Sequence, residues 1–290
     1  MTKSSLRNLF IFGVPSCLGA QDTRCESGPF AIRSAGLEQA LSERFEPYWH
    51  NVAVSDSTLN EDKVDAILSI CEQLARGVEQ IGEQQFVVLG GDHSCAIGTW
   101  SGVKRNDATK NRGLIWIDAH MDSHLPETSP SHALHGMPLA CLLGHGDKRF
   151  CELSGTRPVL LPQNVVLLGI RSYEPEEAVL LELLGVKVFT MQDISQQGFI
   201  NVFSEALTLV KSNSDSFGVS IDLDAIDPRF APGVGSPEQN GIYPDELCLA
   251  LSSLRNESAF RGLEIVELNP ARDIDNKTVD LCIRLVTSIY

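Results

Sequence analysis

The chain has 290 residues, 43% of them apolar, and its 38 acidic side chains against 23 basic ones give a formal net charge of −15. So acidic a surface repels phosphate backbones and anionic membranes, and no basic cluster interrupts it, which argues against nucleic-acid and membrane partners. It suits solubility and mildly attracts cationic small molecules, and no run reaches the ~20 apolar residues that a membrane helix needs.

At the amino end, Lys3 and Arg7 ahead of LFIFGVPSCLGA imitate a secretory leader. The apolar core is short and broken by Gly13 and Pro15, so a first strand over about 8–15 is the better reading. A helix is expected over 30–43, then a weaker strand candidate in EPYWHNVAV. The clearest helix covers 61–82, where Val64, Ile67, Leu68, Cys71, Leu74, Val78 and Ile81 recur at helical spacing and form one buried stripe. Strands follow in FVVLGG, GLIWIDAH, NVVLLGI, VKVFTM, FGVSIDL and GLEIVEL, with helices over 133–143, 174–184, 197–211, 244–255 and 277–288.

Most of these strands are apolar at nearly every position, as parallel strands covered on both faces are. Regular alternation of strand and helix predicts an α/β fold with a mostly parallel sheet of about eight strands. A closed barrel fits the alternation too; the open doubly wound sheet is the reading adopted. No linker, repeat or composition shift divides residues 1–290, so one domain is expected. The eight cysteines are scattered without a CxxC pair, which predicts reduced thiols in a cytoplasmic protein. Cys95 lies beside the candidate site, although a buried inert thiol is the default.

In open α/β sheets, sites form at the carboxyl edge of the strands. Four apolar runs end there in acids or histidines: FVVLGG in Asp92 and His93, GLIWI in Asp118, His120, Asp122 and His124, FGVSI in Asp222, Asp224 and Asp227, and GLEIV in Glu267. In an extended chain, residues i, i+2 and i+4 share a side, so Asp118, His120 and Asp122 can converge, as can Asp222 and Asp224. With His93 these make two imidazoles and four carboxylates, a cluster that like-charge repulsion forbids without a strong cation. A lone DxH after a strand is often just a cap. Three strand ends carrying such ligands make metal the stronger reading. With no thiolate and four acids the site is too oxygen-rich for structural zinc. Imidazole with carboxylate suits manganese, iron or zinc in a paired site, and two Mn2+ are favoured. Paired ions can hold a bridging hydroxide at neutral pH, which predicts hydrolysis.

The segments GGDHS, DAHMD and SIDLDAIDP, in that order, resemble the three signatures of the ureohydrolases, the family of arginase and agmatinase. GVPSCLGAQDTRCESGPFAIRSAGL and GLEIVELNPARDIDNKT extend the resemblance to both ends. It implies a three-layer α/β/α sandwich, two manganese ions per chain, and a homo-oligomer, usually a trimer or hexamer. By the resemblance one ion is held by His93, Asp118, Asp122 and Asp222, the other by Asp118, His120, Asp222 and Asp224, with Asp118 and Asp222 bridging. Asp122 would also accept a hydrogen bond from the bridging hydroxide. His135, in LHGMP, matches the acid–base histidine that protonates the leaving amine; it could instead cap the helix expected nearby. Glu267 would hold the guanidinium.

For substrate, SHLPETSPSHALHGMP has the length and ending of arginases, and Ser131 matches a serine that contacts the α-carboxylate. Glu174 and Glu177 align with the segment that reads the α-amine, and Ser236 falls where arginases carry a threonine near the guanidinium. There are departures: His124 stands in place of an asparagine, His132 and Ala133 in place of Gly-Asn, Ser172 and Glu174 in place of two aspartates. His124 could supply the lost amide donor if its ring nitrogen points at the carboxylate, or be a solvated loop histidine. L-arginine is the first choice, releasing L-ornithine and urea; agmatine or another guanidino acid is the alternative. Two rivals lie outside this activity, a non-catalytic relative and a deacetylase-like hydrolase with one metal. Retention of all six ligands with His135 and Glu267 weighs against both.

Overall fold

The computed structural model describes residues 6–54, 62–155 and 158–290. Its centre is one sheet of eight strands, β1 (Arg7–Val14), β2 (Phe45–Asn51), β3 (Phe86–Gly90), β4 (Arg112–Ile117), β5 (Val165–Ile170), β6 (Lys187–Thr190), β7 (Ser216–Asp222) and β8 (Phe260–Val266). The order is β2-β1-β3-β8-β7-β4-β5-β6, and every pairing is parallel. The strand candidate EPYWHNVAV is the edge strand β2.

Alternation along each strand builds the three layers. Val87, Leu89, Ile115, Ile117, Val219 and Ile221 point to one face, into a core shared with helices Phe199–Asn213, Pro244–Ser252 and Lys277–Ile289. Phe86, Val88, Leu114, Trp116, Val165 and Leu167 point to the other, against helices Lys63–Gln80, Ala96–Asn106 and Pro138–Leu142. The protein is a three-layer α/β/α sandwich, as expected.

Helix boundaries moved where local chemistry outweighed periodicity. The helix expected over 30–43 is two, Gly28–Ser34 and Leu37–Leu41, separated at Gly36, whose φ of 97° breaks a right-handed helix. The one expected over 133–143 is a single 3-10 turn, Leu134–Gly136, then Pro138–Leu142, because the residue before Pro138 is kept from helical geometry. That expected over 197–211 starts at Phe199, and a short helix, Met191–Gln197, precedes it. The expected start of the 61–82 helix, residue 61, lies outside the described residues; the helix runs Lys63–Gln80.

Helix Ala96–Asn106 was not expected. AIGTWSGVKRN carries two glycines and no apolar stripe, yet its first eight residues are all buried. The glycines are the reason for the packing: a Cβ at Gly98 would lie 2.6 Å from the Cys71 carbonyl oxygen, and one at Gly102 2.6 Å from that of Ala75. Two small residues four apart face two small residues four apart, and the helix backbones close on each other.

The expectation of eight reduced thiols needs correction. Cys17 and Cys25 form a disulfide, with Cα atoms 6.0 Å apart, because the loop after β1 doubles back on itself. The other six cysteines stand outside any disulfide. Cys95 is buried against Glu264, and burial followed by that carboxylate pushes its thiol well above the usual range, so it is the inert case. Among the described residues no helix is long and apolar enough to cross a membrane.

Candidate dinuclear metal and hydrolytic site

Four adjacent central strands, in the order β3, β8, β7 and β4, deliver the candidate residues to one sheet edge. The loop after β3 turns immediately: a Cβ at Gly91 would run into the Ser16 carbonyl oxygen, so only glycine fits there. Asp92 caps the turn through the Ser94 amide at 2.9 Å and accepts the Gly19 amide at 2.8 Å. His93 is thereby aimed back over the sheet.

Nδ1 of His93 lies 3.1 Å from Asp122 Oδ2 and 3.4 Å from both Asp118 Oδ2 and Asp222 Oδ2. The ring is fully buried, and Nδ1 has no hydrogen-bond partner of proper geometry. Nδ1 of His120 lies 3.1 Å from Asp224 Oδ2 and 3.6 Å from Asp118 Oδ1. Two overlapping ligand groups result, His93–Asp118–Asp222 and Asp118–His120–Asp224, each with ligand atoms within 4.8 Å of one another. Asp118 belongs to both.

Strand alternation is not what brings these residues together. β4 stops at Ile117, before the first ligand. Asp118 then folds the chain locally by accepting the His120 amide on Oδ1 at 2.8 Å. Asp122 sits at φ 48°, in the left-handed region, with its carbonyl held by the Leu139 amide at 3.0 Å. Asp222 ends β7 and caps a 3-10 turn, accepting the Asp224 amide at 2.9 Å. The i, i+2 spacing predicts the right residues, but aspartate-capped turns produce the convergence.

Electrostatics state the same need for cations. Burial raises Asp122 to about 6, helped by the Asp118 charge, and burial with neighbouring carboxylates lifts Asp222 well above its ordinary range. Burial likewise raises Asp224. Burial opposes charge on both imidazoles, yet facing carboxylates outweigh it and push His93 and His120 above the usual histidine range. Asp118 goes the other way: burial opposes its charge, but His120 and His93 outweigh that and hold it down. In the metal-free protein, protons neutralise a charge cluster that divalent cations would neutralise better. An orphaned buried nitrogen ringed by carboxylates, with oxygen and imidazole donors and no thiolate, fits two hard or borderline cations.

His93 is supported from behind. Its Nε2 is 2.9 Å from Ser220 Oγ, which donates to Glu264 at 2.7 Å; Thr99 and Trp100 also donate to that carboxylate. The His93 ring stacks on Trp116 at 4.0 Å, and Trp116 donates to Asp118 at 2.9 Å. An acid inside the otherwise apolar GLEIV run was the one sequence signal for this network; Ser220 and Trp116 had none.

His135 Nδ1 is 3.1 Å from Glu267 Oε1, the same oxygen that accepts the His93 amide at 3.1 Å. Burial opposes charge on His135, but Glu267 outweighs it and raises the ring to about 9. His135 stands in a 3-10 turn, and its amide donates to Gly19, so it does not cap the helix that follows. Glu267 itself adopts φ 67°, with its amide on the Gly91 carbonyl at 2.7 Å.

A cavity of about 220 Å³ opens over these groups, and every residue expected to read substrate lines it: His124, Ser131, Glu174, Glu177 and Ser236. Among the described residues no lysine or arginine lines it. His124 is not solvated: Nδ1 is 3.1 Å from Thr128 Oγ1, and Nε2 is 3.0 Å from Glu174 and 3.5 Å from Glu177. Glu177 is pushed up to about 8, mainly by burial; it accepts the Glu174 amide in a capping box and, separately, the Ser123 amide. His132 and Ala133 do not line the cavity.

Comparisons with known proteins agree with this geometry. The Arginase family model matches residues 7–290. The arginase of Brevibacillus brevis is 37% identical, the alignment covering 98% of each chain, and that of Bacillus subtilis is 38% identical over 98% of this chain and 97% of its own. The arginase structure from Bacillus caldovelox superposes with a TM-score of 0.91 at 34% identity, covering 98% of both chains. With the family's segments in place and the ligand set assembled at one edge, the chain belongs to the arginase family.

Proposed function

We propose that the protein is an arginase: a single domain over residues 1–290 that hydrolyses L-arginine to L-ornithine and urea with two Mn2+. The carrying observation is the juxtaposition of two ligand groups sharing Asp118 with the His135–Glu267 pair over one cavity. His93, Asp118, Asp122 and Asp222 would hold one ion, and Asp118, His120, Asp222 and Asp224 the other. When bound, such a pair supplies Lewis acidity and water acidified enough to act as nucleophile at neutral pH.

The chain's own groups position and protonate. Glu267 spends Oε1 on His93 and His135, which leaves Oε2 facing the guanidinium. His135 donates from Nδ1 to Glu267, so Nε2 is the nitrogen left to give a proton to the departing amine as the C–N bond breaks. Asp122, the acid nearest His93 Nδ1 at 3.1 Å, orients the attacking water by accepting its hydrogen. Glu174 and Glu177 take the substrate's α-amine, and the Ser131 hydroxyl its carboxylate, with Ser236 near the guanidinium. By family resemblance the enzyme is a trimer or hexamer. Six of eight cysteines outside any disulfide suit the cytoplasm.

One observation favours a second reading within the same family. Both ring nitrogens of His124 are engaged, and among the described residues no lysine or arginine lines the cavity, so carboxylate recognition rests on few donors. Agmatine, which lacks a carboxylate, or another guanidino acid is the competing substrate. The protein loaded with Mn2+ should release urea from L-arginine in preference to agmatine and guanidinobutyrate. Urea from one of the others alone would keep the hydrolytic reading and overturn the substrate.

A further inference from the structure

We propose that Glu238 is the outer partner of His120, a positioning residue that aims its Nδ1 into the ligand cluster and sets the affinity for one of the two cations. The proposal deepens the dinuclear reading above and rests on it.

His120 lies between carboxylates at its two ends. Nδ1 faces Asp224 and Asp118, while Nε2 faces Glu238 Oε1 at 3.8 Å. A ring nitrogen that takes a cation presents its lone pair, so the neutral imidazole carries its hydrogen on the other nitrogen. That hydrogen needs an acceptor, and a metal-ligating histidine generally finds one in a carboxylate, a carbonyl or water. Glu238 is the carboxylate placed there. A separation of 3.8 Å is closed by a small rotation of the glutamate or by one bridging water.

Glu238 is also held. Ser172 donates to its Oε1 at 3.2 Å. Arg171 donates to the carbonyls of Glu238 at 2.9 Å, Gln239 at 2.9 Å, Asp224 at 2.6 Å and Ala225 at 3.3 Å. One guanidinium thus ties the loop bearing Glu238 to the turn bearing Asp224, and these flank His120. The contrast with His93 is instructive. There the second nitrogen meets a fully buried hydroxyl backed by a buried acid. At His120 it meets a carboxylate on the rim, with a side chain 37% exposed. Removing that carboxylate leaves the packing intact and changes what the imidazole feels.

The test is metal binding. Metal-free protein is reloaded with Mn2+, and the two stepwise dissociation constants are measured from free Mn2+ by electron paramagnetic resonance, for wild type, Glu238→Gln and Glu238→Asp. In Glu238→Gln one constant should rise about tenfold or more, the usual range for loss of an outer partner, with the other within about twofold. The unfolding midpoint of the metal-free protein should not move, and Glu238→Asp should recover most of the lost affinity. Two unchanged constants in Glu238→Gln overturn the assignment, as does equal weakening of both with a lower midpoint. Fewer than two ions in the wild type would overturn the dinuclear reading and this role with it.

Discussion

Two site residues, Asp122 at φ 48° and Glu267 at φ 67°, occupy backbone conformations that cost a side-chain-bearing residue about 1–3 kcal/mol. They persist because neighbouring backbone over-determines them: Leu139 binds the Asp122 carbonyl, and Gly91 accepts the Glu267 amide. The strain turns each carboxylate out of line with the chain and into the cavity. His135 is the residue whose role is most separable from the metals, since it touches Glu267 rather than the ligand cluster. His135→Ala should lower kcat by about 10²–10⁴ while elemental analysis still finds two ions; undiminished turnover would remove it from the mechanism. Its raised value, about 9, also carries a sign. The charged His135–Glu267 pair stabilises the fold fully below the ordinary histidine value and loses that contribution as pH rises through about 9. Thermal unfolding of metal-free protein between pH 6 and 10 reads this, and the His135→Ala variant should lack that part of the slope.

At the scale of elements, the site depends on how helix Ala96–Asn106 closes on helix Lys63–Gln80, because His93 leads directly into the first of these. Gly98 and Gly102 set that distance. Gly102→Ala should destabilise by about 1–3 kcal/mol, as overpacking does, and chemical denaturation would show it; an unchanged midpoint would mean that the helices have slack. The loop after β1 is a second support, with Gly19 bonded to both Asp92 and His135. Its Cys17–Cys25 disulfide predicts six alkylatable thiols in protein denatured without reductant, and eight after reduction. Eight thiols without reductant would remove the crosslink.

At the scale of the molecule, the catalytic edge gathers acids, and the opposite edge buries bases. Arg112 and Arg261, 3% and 4% exposed, lie at the beginning of β4 and one residue into β8 and share Glu83. Burial opposes the charge on Glu83, but Arg112, Arg261 and Lys110 outweigh it and hold the carboxyl below its ordinary range. That stabilisation is complete above the ordinary glutamate value and fades as pH falls through the depressed folded value. Glu83→Gln should cost about 1–2 kcal/mol at neutral pH, discounted because Glu83 is half exposed, and should flatten the acid-side loss of stability. An unaltered acid slope would assign that loss to other carboxylates.

The fold was legible because apolar runs covered on both faces and one strong helical stripe are local patterns: eight strands were expected and eight are paired. The ligands were legible because buried-strand ends that carry acids and imidazoles are chemically anomalous wherever they fall. Helix Ala96–Asn106 was not, since burial on all sides erases periodicity, and its glycines acquire meaning only opposite Cys71 and Ala75. Nor were Glu238, Arg171, Ser220 and Trp116, whose importance lies in what they touch across the sheet. The order β3, β8, β7, β4 brings together strands far apart in sequence, and no local pattern encodes that order. Sequence by itself determined a mostly parallel sheet covered on both faces, the edge and the ligand types, because each follows from hydrophobic periodicity and ionisable chemistry along the chain. Tertiary structure alone decided the turns that converge the ligands, the occupation of both His124 nitrogens, and the partners behind each imidazole, because those are contacts between segments that only packing brings within a hydrogen bond's reach.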